Sequence, residues 1–177
     1  MACHGAGGRR IEDDHFAVID ILRMIILHPD GATRLLKHVD KSDVLIEMIN
    51  NVTSSPPLPV NLLTSIRAVT NLFKNSCYYP WLQKHRSEIL DAFSSCCSSP
   101  NKNVQVSYAN LILNYSVLLI ESKDQEGQSQ VLSAALEAGL YIAEAENLEV
   151  DSKYQASKPR WYLQISLNFL LGTVIIA

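Results

Sequence analysis

Asn61-Leu62-Leu63-Thr64-Ser65-Ile66-Arg67-Ala68-Val69-Thr70-Asn71-Leu72-Phe73-Lys74-Asn75 carries apolar residues at Leu62, Leu63, Ile66, Val69, Leu72 and Phe73. Steps of three and four put these on one side of an α-helix. The helix is bounded by the loop Ser54-Ser55-Pro56-Pro57-Leu58-Pro59 before it and by an aromatic turn, Tyr78-Tyr79-Pro80-Trp81, after it. The same periodicity repeats in both directions. Upstream, Phe16, Ile19, Leu22, Ile25 and Ile26 mark a helix that opens at Ile11-Glu12-Asp13-Asp14, where acidic residues suit the helix dipole. His28-Pro29-Asp30-Gly31 should stop it. A short helix is expected near Ala32–His38, then one carrying Val44, Leu45, Met48 and Ile49, capped by Asp40 or Ser42.

Downstream, a helix is expected over His85–Cys97, with Ile89, Leu90 and Phe93 inward and Ser98-Ser99-Pro100-Asn101 as its break. Asn103–Ile120 is apolar at Val104, Val106, Ala109, Leu111, Ile112, Tyr115, Leu118 and Leu119, nearly all the way round, so it should be a central helix. Gln125-Glu126-Gly127-Gln128 punctuates the chain, residues 128–145 form a further helix, and a last one is expected from Asn147 towards Tyr154. No strand-like alternation appears before residue 160. Helices paired at short intervals describe an all-α chain, an armadillo/HEAT-like α-solenoid, with a helical bundle as the plain alternative.

Composition sets the function class. In 177 residues, 15 Lys+Arg against 18 Asp+Glu give a net charge of −3, without the basic surplus that nucleic-acid binding needs. The hydrophobic fraction of 47 % is enough for a core. Four cysteines, Cys3, Cys77, Cys96 and Cys97, show no CxxC spacing and read as reduced thiols of a cytoplasmic or nuclear protein. Residues 162–177 are apolar, but they are shorter than the roughly 20 residues of a spanning helix and are interrupted by Gln164, Ser166 and Asn168. No membrane partner is expected.

Enzyme signatures are missing. There is no G-x-S-x-G elbow, Walker loop, H-E-x-x-H or G-x-G-x-x-G, and Gly5-Ala6-Gly7-Gly8 precedes no strand. The five histidines, His4, His15, His28, His38 and His85, are scattered singly, so no metal and no cofactor is expected. Cys77 and His85, eight residues apart, read as a core thiol beside an exposed helix-start histidine rather than as a catalytic pair.

Two helices carry polar residues that ask for a reason. Arg67 and Asn71 are four apart and share a face, and Lys74 falls three beyond. Asn110 and Asn114 repeat the spacing in Tyr108-Ala109-Asn110-Leu111-Ile112-Leu113-Asn114-Tyr115-Ser116. Asparagine is a poor helix former. In a solenoid groove its carboxamide matches the donor and acceptor of a peptide group, while an arginine takes a carboxylate through two parallel hydrogen bonds. The other reading is that these asparagines bridge loops or cap neighbouring helices.

Several blocks, in order, resemble a known family. Phe16-Ala17-Val18-Ile19-Asp20-Ile21-Leu22-Arg23 with His28-Pro29, then Ile66-Arg67-Ala68-Val69-Thr70-Asn71-Leu72-Phe73, then Asn101-Lys102-Asn103-Val104 with Leu113-Asn114-Tyr115-Ser116-Val117, are similar to PUL domains. These form the C-terminal module of phospholipase A-two-activating-protein-like proteins. The resemblance implies an armadillo-like fold and a non-enzymatic adaptor of ubiquitin-dependent pathways. It also implies a partner, the acidic, tyrosine-bearing C-terminal tail of the AAA ATPase valosin-containing protein, docked in a basic groove. By position, Arg67, Asn71 and Asn114 match the family's groove; Lys74 and Asn110 join them from helical spacing alone. A second basic groove position of the family falls here near Lys153–Gln155, with Gln155 in the arginine's place.

The expected organisation is a disordered 1–10, a partial PUL domain over 11–156, and a divergent apolar tail over 157–177. Ser157-Lys158-Pro159-Arg160-Trp161 breaks any helix, and Leu163, Ile165, Leu167, Phe169 and Leu171 then alternate like a strand. The first helices of the domain and its β-propeller and ubiquitin-binding neighbours are missing from this sequence. We therefore expect a truncated, uncapped solenoid that folds marginally and binds the tail weakly or not at all.

Overall fold

The computed structural model describes residues 7–39, 43–54 and 57–148. Eight α-helices form over these residues, with no strand among them. They group into two compact units, with the division of the chain between Tyr78 and Tyr79.

The first unit holds α1 (Gly7–Leu27), α2 (Pro29–Val39), α3 (Val44–Thr53), α4 (Pro59–Leu72) and a single 3-10 turn, Ser76–Tyr78. α1 lies along α4 and α2, and α3 packs on α4. α4 forms where the apolar period predicts, but it starts at Pro59, whose missing N–H costs nothing in a first turn. Leu62, Ile66, Ala68, Val69 and Leu72 are buried against Ile19 and Ile26 of α1 and Leu45, Met48, Ile49 and Val52 of α3. Two side chains close the far end. Asn75 Nδ2 donates to the Ile26 carbonyl at 3.2 Å, and Tyr78 Oη donates to the Ala32 carbonyl at 2.7 Å. Ile26 lies in the last turn of α1, where carbonyls have no partner within the helix.

Several boundaries differ from the sequence reading. α1 is helical from Gly7 rather than from Ile11. The stop after it is a single bend at His28, since Pro29 opens α2 and Asp30 and Gly31 lie inside its first turn. There is no room for a side chain at 31, where a Cβ would collide with the Ile25 carbonyl. The cap of α3 is Asp43, whose Oδ1 accepts from the Ile46 N–H at 3.1 Å. Asp40 and Ser42 lie outside the described residues.

The second unit holds α5 (Tyr79–Lys84), α6 (Arg86–Phe93), a 3-10 segment Ser94–Ser98, α7 (Lys102–Ser122) and α8 (Gln125–Leu148). α7 packs on α8, and the 3-10 segment packs on both. α7 is the central helix that its composition implied. Val104, Tyr108, Ala109, Leu111, Ile112, Tyr115, Leu118 and Leu119 are buried, although Val106 is exposed. Its start is fixed by Asn101, whose Oδ1 accepts from the Asn103 N–H at 2.9 Å. Its end is fixed by Lys123 in the left-handed conformation, φ 57°.

Here too some punctuation read from the sequence is helical. Pro80 sits in the first turn of α5, and Gly127 sits in the first turn of α8. Asn147 belongs to α8 rather than to a new helix. The segment expected to run on towards Tyr154, and the alternating residues 163–171, lie outside the described residues.

Candidate functional site

The expected site residues fall into two groups, one in each unit. On α4 the buried positions leave a solvent-facing line of Val60, Leu63, Arg67 and Asn71. Arg67 is exposed and Asn71 half-buried. Lys74 lies two residues beyond the end of the helix. Phe73 keeps right-handed helical backbone and the Lys74 N–H donates to the Asn71 carbonyl at 3.1 Å, so the turn continues past Leu72 and Lys74 is exposed. Neither cation has a hydrogen bond or ion pair among the described residues. The two cations stand seven positions apart with an amide between them.

On α7 the corresponding line is Val106, Asn110, Asn114 and Val117. Asn110 is exposed. Asn114 is half-buried, and its Nδ2 donates to the Asn110 carbonyl at 2.8 Å. That bond is within one helix, so the carboxamide neither bridges a loop nor caps a neighbouring helix. It commits one donor and leaves Oδ1 as the group able to accept a peptide N–H. Tyr115, by contrast, offers no contact surface. It is fully buried, with its hydroxyl donating to the Leu82 carbonyl at 3.2 Å.

A cavity of about 440 Å³ lies elsewhere in the first unit, lined by Ile19, Leu22, Ile25, Glu47, Met48 and Val52 among others. None of the five expected residues lines it, and its walls carry no cation for an acidic ligand.

Sequence reasoning missed the ionic knot of the second unit. Arg86, at the start of α6, is buried and donates from Nη1 to Asp124 Oδ2 at 2.5 Å and from Nε to Gln130 Oε1 at 2.9 Å. Ser87 Oγ donates to the same Gln130 oxygen at 3.0 Å. Asp124 also caps α8, accepting the Gly127 N–H at 2.9 Å. That N–H, followed by Arg86, holds the Asp124 carboxyl below its ordinary range against partial burial. Nothing local announces the pairing, since 38 residues separate Arg86 from Asp124. The one legible hint is Asp124 just ahead of a helical pattern, a capping position.

The thiols do not make a catalytic centre. Cys96 and Cys97 are buried in the 3-10 segment, and desolvation, with Cys97 beside it, pushes Cys96 up to about 12. Burial, then Glu137, pushes Cys97 up to about 11. Both are protonated at neutral pH, and the thiol is the unreactive form. Cys77 is exposed, not the core thiol expected of it. His85 is half-buried in the second unit, with Nδ1 3.1 Å from Glu88 Oε2 and its ring 5.0 Å from that of Trp81. Among the described residues no group of His, Cys, Asp and Glu is placed to hold a metal ion, and no helix is long and apolar enough to cross a membrane.

Helix pairs with exposed lines carrying Arg67, Asn71, Asn110 and Asn114 are those of a helical-repeat interaction module. The chain belongs to the PUL domain family, whose model matches residues 12–151. It is 29 % identical over 126 residues to the phospholipase A-2-activating protein of Xenopus laevis. That match covers 70 % of this chain and only 15 % of the relative. The all-α fold is the one that the resemblance implied, and the family is one of protein interaction, not a known enzyme family.

Proposed function

We propose that this chain is a peptide-binding adaptor module and that its ligand is the acidic, tyrosine-bearing C-terminal tail of a valosin-containing-protein-type AAA ATPase, in ubiquitin-dependent pathways. The observation that carries the reading is Arg67. It is an exposed guanidinium with no hydrogen bond or ion pair among the described residues, on the same line of α4 as Asn71 and followed by a second such cation, Lys74. Such a line takes a carboxylate through Arg67 and neighbouring peptide groups through Asn71. Within the second unit by itself, Asn110 and Asn114 on α7 present carboxamides able to take peptide groups. The cytoplasm or nucleus is the compartment where such a partner is met.

A labelled acidic, tyrosine-containing tail peptide titrated by fluorescence polarisation tests this, with wild type and Arg67→Glu side by side. Saturable binding that the variant loses while keeping its helical circular dichroism supports the module. A second reading, a helical scaffold without a peptide site, draws on the Asn114–Asn110 bond, which spends the carboxamide inside its own helix. No binding by folded wild type would leave that reading in place.

A further inference from the structure

α8 carries more apolar surface than the described residues of the second unit cover. Val131, Ala135 and Ala138 are buried against their neighbours, but Leu132, Leu136 and Leu140 are 37 %, 48 % and 65 % exposed, and Tyr141 is 41 % exposed. At spacings of four, the three leucines form one stripe down the outer side of the helix. Three leucines in line are an interaction surface, unlike single exposed leucines, which need no explanation.

The same chain contains a segment of matching chemistry. Residues 161–177 hold no Asp, Glu, Lys or Arg, and they present Leu163, Ile165, Leu167, Phe169, Leu170 and Leu171 within nine positions. We propose that this segment folds back onto the Leu132/Leu136/Leu140 stripe and covers α8 as the last layer of the second unit. Geometry allows it. Twelve residues, 149–160, separate the end of α8 from the segment and span up to about 40 Å when extended. Leu140 and Leu132 lie about 12 and 24 Å back along the helix axis from Leu148. The connection is polar and contains Pro159, which suits a strand of chain that turns back rather than a continued helix. Tethering favours this occupant over an external one, because a short linker holds the segment at millimolar effective concentration beside the stripe.

Docking would give the repeat array the terminal cover that stacked helices need for solubility. It is independent of the α4 line and of the peptide reading above.

Hydrogen exchange of the full-length chain tests the proposal. Amides of 161–177 are expected to exchange about tenfold or more slowly than an unstructured peptide of that sequence, independently of protein concentration. Leu136→Asp combined with Leu140→Asp should abolish that protection while amides 131–135 stay protected. A second variant leaves every described helix untouched: Leu167→Asp with Phe169→Asp should raise binding of the apolar dye ANS severalfold as the stripe is uncovered. Unprotected amides in wild type, or no rise in dye binding, would overturn the proposal. So would protection that survives the stripe variant, grows with protein concentration as a second copy's segment docks, or appears only with phosphatidylcholine vesicles.

Discussion

At the scale of single residues, Gly127 shows most clearly what the fold demands. A Cβ there would meet the Arg86 guanidinium carbon and Asp124 Oδ2 at 2.6 Å each. Gly127→Ala therefore either expels Arg86 from the knot or displaces the first turn of α8. Breaking a fully buried ion pair costs about 3–5 kcal/mol, and Asp124 is one-third exposed, so a loss of about 1–3 kcal/mol is expected by urea denaturation. The knot also gives a pH dependence of definite sign. The folded carboxyl of Asp124 titrates below its unfolded value of about 3.9, so its contribution is complete above that pH. It is lost as pH falls from there through the lower folded value. Wild type should lose more stability over that window than Asp124→Asn, which has no carboxylate to protonate; equal slopes in acid titrations of stability would remove the carboxylate from the account. The sequence hides this knot because both of its cues are read locally as something else. Gly127 looks like a helix breaker, and Arg86 looks like one more basic surface residue.

At the scale of elements, legibility follows the strength of the apolar period. α4 and α7 were readable because their buried positions outnumber their exceptions. α5 was not, because six residues are too few to show a period and Pro80 reads as a stop. The proline is harmless in a first turn, where its N–H has no carbonyl to bond. α4 also contains a cost that its pattern does not show. Ser65 is fully buried with no hydrogen-bond partner for Oγ among the described residues, and Asn61, one turn earlier, buries an Oδ1 equally unpartnered among them. Removing an unsatisfied hydroxyl recovers its desolvation cost, and alanine is the better helix former. Ser65→Ala is accordingly expected to stabilise the chain by about 1 kcal/mol, read as a higher midpoint in thermal or urea unfolding. A fall in the midpoint would mean that the hydroxyl has a partner, such as ordered water. Of the five expected site residues, Arg67 and Asn71 share a line of α4 and Asn110 and Asn114 a line of α7, because helical spacing is local, while Lys74 lies beyond the end of α4. The sequence held no sign that Asn114 would bond its own helix, since that depends on the rotamer.

At the scale of the molecule, charge decides what the α4 line can do. The chain is net negative by three charges, so an acidic peptide is repelled at long range and attracted locally, on α4 where Arg67 and Lys74 stand. The two effects have different reach. The Debye length is about 8 Å at 0.15 M ionic strength, so physiological salt already removes most of the distant repulsion, whereas a contact pair is screened less. Affinity for the acidic tail peptide should therefore change little up to about 0.15 M salt and weaken severalfold towards 1 M, where the Debye length is about 3 Å. Arg67→Lys separates charge from geometry in the same titration. It keeps the cation and the salt dependence, but it loses the planar two-point grip on a carboxylate, so binding should weaken at every ionic strength. Equal affinity of Arg67→Lys and wild type would reduce the arginine to a point charge. A salt-independent affinity would shift the weight to the apolar end of the α4 line, Val60, which is 48 % exposed.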